Sequence, residues 1–325
     1  MQQKQLNPIE AILRDYSVMI LDGALATELE QHGCDLDDPL WSARILLENP
    51  EVIYQVHSDY FRAGADCAIT ASYQATIDGF LKRGIEEEEA VQLIKKTVVL
   101  ARKARDDFWK GEMEASRPKP LVAASIGPYG AYLADGSEYT GNYGVTDEAL
   151  KDFHRPRMSA LIEAGADILA FETIPSLQEA KVLRSLLNEF PGTYAWLSFS
   201  LKNEKAISDG TLLEVCANTF GDNGQIAAIG INCAPLELVN EAIKVISSHT
   251  KKPVIVYPNS GEAYNPATKT WHGQKSCLEL DHLSEDWFKA GARLIGGCCR
   301  TAPHHIEKIS KKWRPSEKIV SKSGV

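Results

Sequence analysis

Eight short apolar runs, each followed by a longer amphipathic segment, recur along this chain, and that alternation is what a parallel sheet covered by helices requires. The runs are Val18–Asp22, Cys67–Ala71, Leu121–Ser125, Asp167–Glu172, Tyr194–Phe199, Ile226–Ile231, Pro253–Tyr257 and Arg293–Gly297. Eight is the strand number of a closed (β/α)8 TIM barrel, a fold that typically takes about 250 residues plus insertions. At 325 residues the chain has that length. The phrases Ala63-Gly-Ala-Asp66, Ala164-Gly-Ala-Asp167 and Ala290-Gly-Ala-Arg293 stand just before three of the runs, as a glycine helix C-cap feeding a short αβ loop would require. Residues 85–108 read as one of the covering helices, with Ala90, Val91, Ile94, Val98, Leu100 and Ala101 on one side. The acidic run Glu86–Glu89 then falls in its first turn, where carboxylates complement the helix dipole and face water. A single barrel is expected over residues 1–312, with a basic, apolar-poor and flexible tail at 313–325.

The expected strand ends are polar or glycine-rich: Asp22-Gly23, Thr70-Ala-Ser72, Ser125-Ile-Gly127, Glu172-Thr173, Asn232-Cys233, Tyr257-Pro-Asn-Ser-Gly261 and Gly296-Gly-Cys-Cys299. In a closed barrel they converge on one rim, the face at which such barrels do chemistry. Two connections, 127–147 and 258–278, are too long to be mere links, and long loops in compact domains are usually lids or binding loops. The first carries Tyr129, Tyr132, Tyr139 and Tyr143 with Asp135 and Glu138, a composition suited to a cationic ligand. The competing reading is a packed Ω-loop.

Within this rim the pair Cys298-Cys299 is the most informative feature. Adjacent cysteines seldom bridge each other, because a disulfide needs its Cα atoms farther apart than the ~3.8 Å of one trans peptide. They suit a soft metal, and Cys233 supplies a third thiol at another strand end. Three thiolates and an open fourth position describe a catalytic zinc, one per chain. A redox dithiol is the alternative, although no Cys-x-x-Cys motif accompanies the pair. Of the remaining cysteines, Cys67 and Cys216 read as small buried hydrophobes, and Cys34 and Cys277 lie in loop-like sequence. His272 and the pair His304-His305 read as loop and helix-surface residues.

The net charge of −9, with lysines and arginines scattered, argues against a nucleic-acid or anionic-membrane partner. No apolar stretch approaches the ~20 residues that span a bilayer. Seven cysteines without a secretory apolar segment fit a reducing compartment, so a soluble, cytoplasmic protein is expected; its oligomeric state is left open.

A tris-thiolate zinc is a poor Lewis acid for carbonyls but well suited to holding a substrate thiolate that stays nucleophilic. Alkyl transfer from a sulfonium to such a thiolate releases a neutral thioether and needs no general acid. With that chemistry in view, the chain resembles the zinc-dependent homocysteine S-methyltransferases, which share their barrel with betaine–homocysteine methyltransferase and the homocysteine domain of methionine synthase. The resemblance spans nearly the whole chain, through Leu21–Leu29, Pro39–Ser42, Thr70–Ala75, Ser125–Tyr139, Gly230–Cys233, Tyr257–Glu262 and Gly296–Thr301. The Ser125 and Tyr257 motifs resemble the branch that uses S-methylmethionine, with S-adenosylmethionine as second donor, rather than the betaine branch.

The resemblance implies methyl transfer to zinc-bound homocysteine, with Cys233, Cys298 and Cys299 as the metal ligands. It implies that Asp22, the backbone around Gly23, Thr70 and Glu172 hold the amino-acid end of homocysteine, with Asn232 and Tyr257 supporting them. An α-ammonium wants a carboxylate and an α-carboxylate wants N–H or hydroxyl donors, so these residue types fit. The bland reading of Asp22 and Glu172 is a helix cap or a structural ion pair. Trp41, Tyr129 and Tyr139 are the expected donor contacts, from their place in the loops. Two other functions compete: transfer to selenocysteine or another thiol, and a catalytically idle zinc- or thiol-binding protein.

Overall fold

A computed structural model describes residues 6–36, 42–111, 117–261, 263–265, 270–272 and 280–314. Eight parallel strands form one sheet: β1 (Met19–Ile20), β2 (Cys67–Ile69), β3 (Leu121–Ile126), β4 (Ile168–Ile174), β5 (Ala195–Phe199), β6 (Ile226–Asn232), β7 (Val254–Tyr257) and β8 (Ala292–Ile295). Their order is β1-β8-β7-β6-β5-β4-β3-β2. A parallel bridge from Leu21 to Cys67, with the Asp22 amide donating to the Cys67 carbonyl at 3.1 Å, joins the two ends. The sheet is therefore the closed TIM barrel expected from the sequence.

Period-two alternation divides each strand between two cores. Inward-facing Met19, Leu21, Cys67, Ala123, Ile168, Ala170, Trp196, Ala228, Ile255 and Leu294 fill the barrel. Val18, Ile20, Val122, Ala124, Leu169, Phe171 and Leu197 face outward and meet the helices. The helix Pro8–Leu13 adds Ile9 and Ile12 to the inner core, and the Asn7 side chain caps it by accepting the Ile9 amide at 3.1 Å. Gly64, Gly165 and Gly291, the glycines of the recurring phrase, adopt φ of +103°, +85° and +126°, the left-handed turn that their C-cap role demands.

Some expectations shift. The helix expected over 85–108 runs Glu87–Gly111, with Glu87, Glu88 and Glu89 in its first turn and exposed. The 127–147 connection is not structureless: it contains the helix Tyr129–Leu133 and a 3-10 turn Ser137–Tyr139. The chain is also tied down beyond residue 312. Trp313 ends the helix Pro303–Trp313 and donates from Nε1 to Ser284 Oγ at 2.8 Å, while Arg314 Nη2 donates to the Val18 carbonyl at 2.7 Å and to Asp66 Oδ2 at 2.8 Å. Residues 315–325 lie outside the described residues. No helix among the described residues is long and apolar enough to cross a membrane.

Candidate active site

The topmost inward-facing positions of five consecutive strands are polar. They are Ser125 on β3, Glu172 on β4, Ser198 on β5, Asn232 on β6 and Tyr257 on β7, all essentially buried. Each continues the inward series of its strand, two residues beyond Ala123, Ala170, Trp196, Gly230 and Ile255. Glu172 accepts from the Ser125 hydroxyl on Oε1 and from the Tyr257 hydroxyl on Oε2 at 3.0 Å. The Tyr257 oxygen also receives Trp196 Nε1 at 3.1 Å and lies 2.7 Å from Ser198 Oγ. Burial pushes the Glu172 carboxyl up to about 7, and the two hydrogen bonds only partly offset it.

Asp22 lies just beyond β1. Its Oδ2 accepts the Ile69 amide at 2.8 Å, but its buried Oδ1 has no partner. Burial, reinforced by the charge of Glu172, holds its carboxyl well above the usual range. Two buried carboxyls that lack a cation, one with an orphaned oxygen, are costly unless a ligand supplies the charge. Neither makes an ion pair among the described residues, so the bland reading of a structural salt bridge fails. Gly23 is packed without slack: a Cβ there would stand 2.7 Å from the Thr301 carbonyl and 2.9 Å from the Tyr60 hydroxyl.

The three sulfurs meet at the ends of β6 and β8. Cys233, Cys298 and Cys299 place their sulfurs within 4.8 Å of one another, the one such cluster of potential ligands among the described residues. Cys233 and Cys299 are 4.0 Å apart. Two sulfurs at about 2.3 Å from a tetrahedral metal would be separated by roughly 3.8 Å, so this pair already has coordination spacing. Cys298 stands beside Cys233, with Cα atoms 5.6 Å apart, and thiolates are the form in which such sulfurs ligate. The vicinal pair itself is unbridged, as its short span requires. Burial pushes the Cys299 thiol up to about 12, so a cation is needed to hold it as thiolate at neutral pH. Residues Cys233 and Arg300 take left-handed backbone, with φ of +49° and +67°, a strain that concentrates where structure positions function.

Asn232 rivets the site together. Its Oδ1 accepts the Thr173 amide at 2.7 Å and the Ser198 hydroxyl at 2.8 Å, and its Nδ2 donates to Thr173 Oγ1 at 2.7 Å. Thr173 too is left-handed, at φ +59°. Thr70 is at the rim as expected, but its hydroxyl is engaged, lying 2.7 Å from Ser72 Oγ and accepting the Ser125 amide at 3.1 Å.

The expected donor residues scatter. Trp41 lies outside the described residues. Tyr129 packs edge-on against Phe153 at 4.9 Å and beside Tyr132 and Tyr143, the behaviour of a packed loop rather than an open aromatic face. Tyr139 is exposed. Sequence reasoning passed over Tyr73, whose ring lies against Gly127 and whose phenol hydrogen-bonds with the Thr173 side chain. It also missed a buried brace: Arg157 Nη2 donates to His154 Nδ1 at 2.7 Å, and His154 Nε2 meets Glu179 Oε1 at 2.8 Å. Arginine only donates, so His154 accepts on Nδ1 and must donate from Nε2. Glu179 further accepts the Tyr129 amide at 2.6 Å and the Tyr143 hydroxyl at 3.1 Å, which anchors the 127–147 loop.

Comparison with known proteins agrees with this architecture. The homocysteine S-methyltransferase family profile matches residues 19–313. The chain is 58% identical over 314 residues to homocysteine S-methyltransferase YbgG of Bacillus subtilis, covering 96% of this chain and 99% of that one. It is 50% identical to the homocysteine S-methyltransferase of Escherichia coli, covering 95% and 99%. The crystal structures of the E. coli homocysteine methyltransferase MmuM in metallated and oxidized forms superpose with TM-scores of 0.86 and 0.87, at 48% identity, over 94% of this chain and all of theirs. A rim with a three-sulfur cluster, on a barrel matched along its length at these identities, places the chain in the homocysteine S-methyltransferase family.

Proposed function

We propose that this chain transfers a methyl group from S-methylmethionine, with S-adenosylmethionine as a second donor, to homocysteine, forming methionine on one zinc ion held by Cys233, Cys298 and Cys299. The observation that carries the reading is the meeting of three sulfurs with two cation-less buried carboxyls on one rim. The sulfurs are soft donors, and the Cys233–Cys299 pair stands at tetrahedral spacing, which suits zinc. When bound, the metal lowers the pKa of the homocysteine thiol, so that the nucleophilic thiolate forms near neutral pH.

The chain's own residues fix where that thiol sits. The unpartnered Oδ1 of Asp22 and the carboxyl of Glu172 receive the α-ammonium, and the backbone around Gly23, with Thr70 close by, takes the α-carboxylate. Tyr257 and Ser125 orient Glu172, while Asn232 holds the Thr173 turn beside it. In the transfer a bond forms between the homocysteine sulfur and the methyl carbon. The donor's carbon–sulfur bond breaks and its electron pair stays on the donor sulfur. A neutral thioether leaves, so no proton is needed, and opposite charges are dispersed in a pocket that excludes water. Chemistry on free thiols belongs in a reducing compartment, and the cytoplasm is the proposed location.

The test compares kcat/KM for S-methylmethionine, S-adenosylmethionine and glycine betaine at saturating homocysteine, with methionine as readout. The expected order is S-methylmethionine first, S-adenosylmethionine second because its adenosyl group needs extra room, and no turnover of betaine. A preference for betaine overturns the donor assignment.

A further inference from the structure

The 127–147 loop carries two acids, and the structure separates their roles. Asp135 is exposed and serves its own turn: its Oδ1 accepts the Ser137 amide at 2.9 Å and the Ser137 hydroxyl. Glu138 is held from two sides instead. Its backbone packs on Gly130, where a Cβ would collide with it, and its carbonyl accepts Ser200 Oγ at 3.3 Å, just past the end of β5. The side chain is half-buried, and its Oε2 is buried without any hydrogen-bond partner.

The surroundings identify what is missing. Ser200 directly follows β5, whose Ser198 belongs to the polar layer that holds Glu172, so Glu138 stands at the same rim. The charges of Glu138 and Glu172 both act on the Tyr73 phenol. Burial raises the Glu138 carboxyl pKa and the charge of Asp135 adds to the effect, while the backbone amides of Glu138 and Gly136 oppose it in part. A buried carboxylate oxygen with no donor costs stability that a ligand can recover. The missing group is a hydrogen-bond donor with positive charge. A sulfonium has no N–H to give, whereas the α-ammonium of an amino-acid methyl donor has three.

We propose that Glu138 is the specificity-determining residue of the donor site and binds the α-ammonium of the sulfonium amino acid, as Asp22 and Glu172 bind that of homocysteine. The inference rests on the sulfonium reading of the donor. The two amino-acid substrates then each have a carboxylate of their own at the one rim. Recognition by charge-assisted hydrogen bonding makes the site favour a donor that carries an α-amino group over a sulfonium that lacks one, which it uses more slowly.

The experiment uses zinc-loaded enzyme and two donors, S-methylmethionine and a sulfonium carboxylate of similar length without the α-amino group. Glu138→Gln keeps the shape and removes the charge. It is expected to lower kcat/KM for S-methylmethionine about ten- to a hundredfold and to leave the desamino donor unchanged, with homocysteine KM and zinc content unaltered. Asp135→Asn is expected to change neither. Equal losses on both donors, or no loss on S-methylmethionine, overturn the assignment of Glu138. If the wild type turns over S-adenosylmethionine but not S-methylmethionine, the preferred-donor reading alone falls, and Glu138→Gln must then show the same loss on S-adenosylmethionine, which carries the same α-ammonium. Turnover of glycine betaine instead overturns both, since a quaternary ammonium has no N–H.

Discussion

The Tyr257 hydroxyl donates to Glu172 Oε2 at 3.0 Å across the top of the barrel, from β7 to β4, within a layer of polar side chains from five strands. This layer holds a carboxyl ready for a cation at the expense of burying it. Its folded pKa is raised, from 4.5 to about 7, so its contribution to stability is present below pH 4.5 and is lost as pH rises through 7. The shift corresponds to roughly 3 kcal/mol. Glu172→Gln is therefore expected to make the ligand-free protein more stable than wild type at pH 8 and to reduce homocysteine use about ten- to a hundredfold, with zinc retained. Urea denaturation at pH 5 and pH 8, beside steady-state kinetics, checks both halves; unchanged kinetics remove Glu172 from the site.

The His154–Glu179 contact points to the opposite pH response. Burial lowers both His154 and His57 to about 4, so each is neutral when folded and contributes stability above pH 6.5 that is lost as pH falls toward 4. Glu179→Ala leaves the buried Arg157 charge uncompensated and is expected to cost about 3–5 kcal/mol. It also frees the Tyr129 amide. Hydrogen exchange should show faster exchange at Tyr129 than at amides of β5; uniform acceleration across the barrel would show that the network braces the whole fold and not this loop.

Gly23→Ala would drive a methyl group against the Thr301 carbonyl and the Tyr60 hydroxyl. Neither is the far end of a flexible chain. A destabilisation of about 1–3 kcal/mol is expected, together with weaker metal binding, because Thr301 closes the turn that carries Cys298 and Cys299: its amide and hydroxyl both donate to the Cys298 carbonyl. A normal melting temperature with normal zinc affinity contradicts this packing argument.

Thiolates are the ligating form, so zinc uptake should require Cys233, Cys298 and Cys299 to be reduced. Oxidised protein is expected to bind little zinc, and a thiol-free reductant should restore one ion per chain. Stoichiometric uptake by the oxidised protein removes Cys233 and Cys298 as ligands.

The eight strands were legible because each is a β-branched or apolar run between turn signals, and the rim could be read because polar residues end those runs. The errors are physical. The expected fourth and sixth strands stop at Glu172 and Ile231, but the ladder continues to Ile174 and Asn232, since polar residues belong inside a strand when they face one another in the barrel. Glu179 reads as the third residue of a helix whose Ser176 cap is in place, and nothing local shows that its carboxylate turns away to a histidine 25 residues earlier. His154 and Arg157 sit one helical turn apart on the inner face of Asp147–Glu163, the only sequence signal that could have flagged them. The tyrosines of the 127–147 loop suggested a cation site, but three of them pack on one another and on Phe153, and it is Glu138 Oε2 that has no hydrogen-bond partner.

The central claim is that three thiols hold the metal on which homocysteine reacts. The direct measurement is zinc per chain by elemental analysis, in parallel with methionine formation from homocysteine and S-methylmethionine, for the reduced wild type and for Cys233→Ser, Cys298→Ser and Cys299→Ser. The account predicts one zinc and turnover in the wild type, loss of both in each variant, and circular-dichroism spectra like that of the wild type, because the barrel core is complete without the metal. A variant that keeps stoichiometric zinc, or that forms methionine at the wild-type rate without it, contradicts the account.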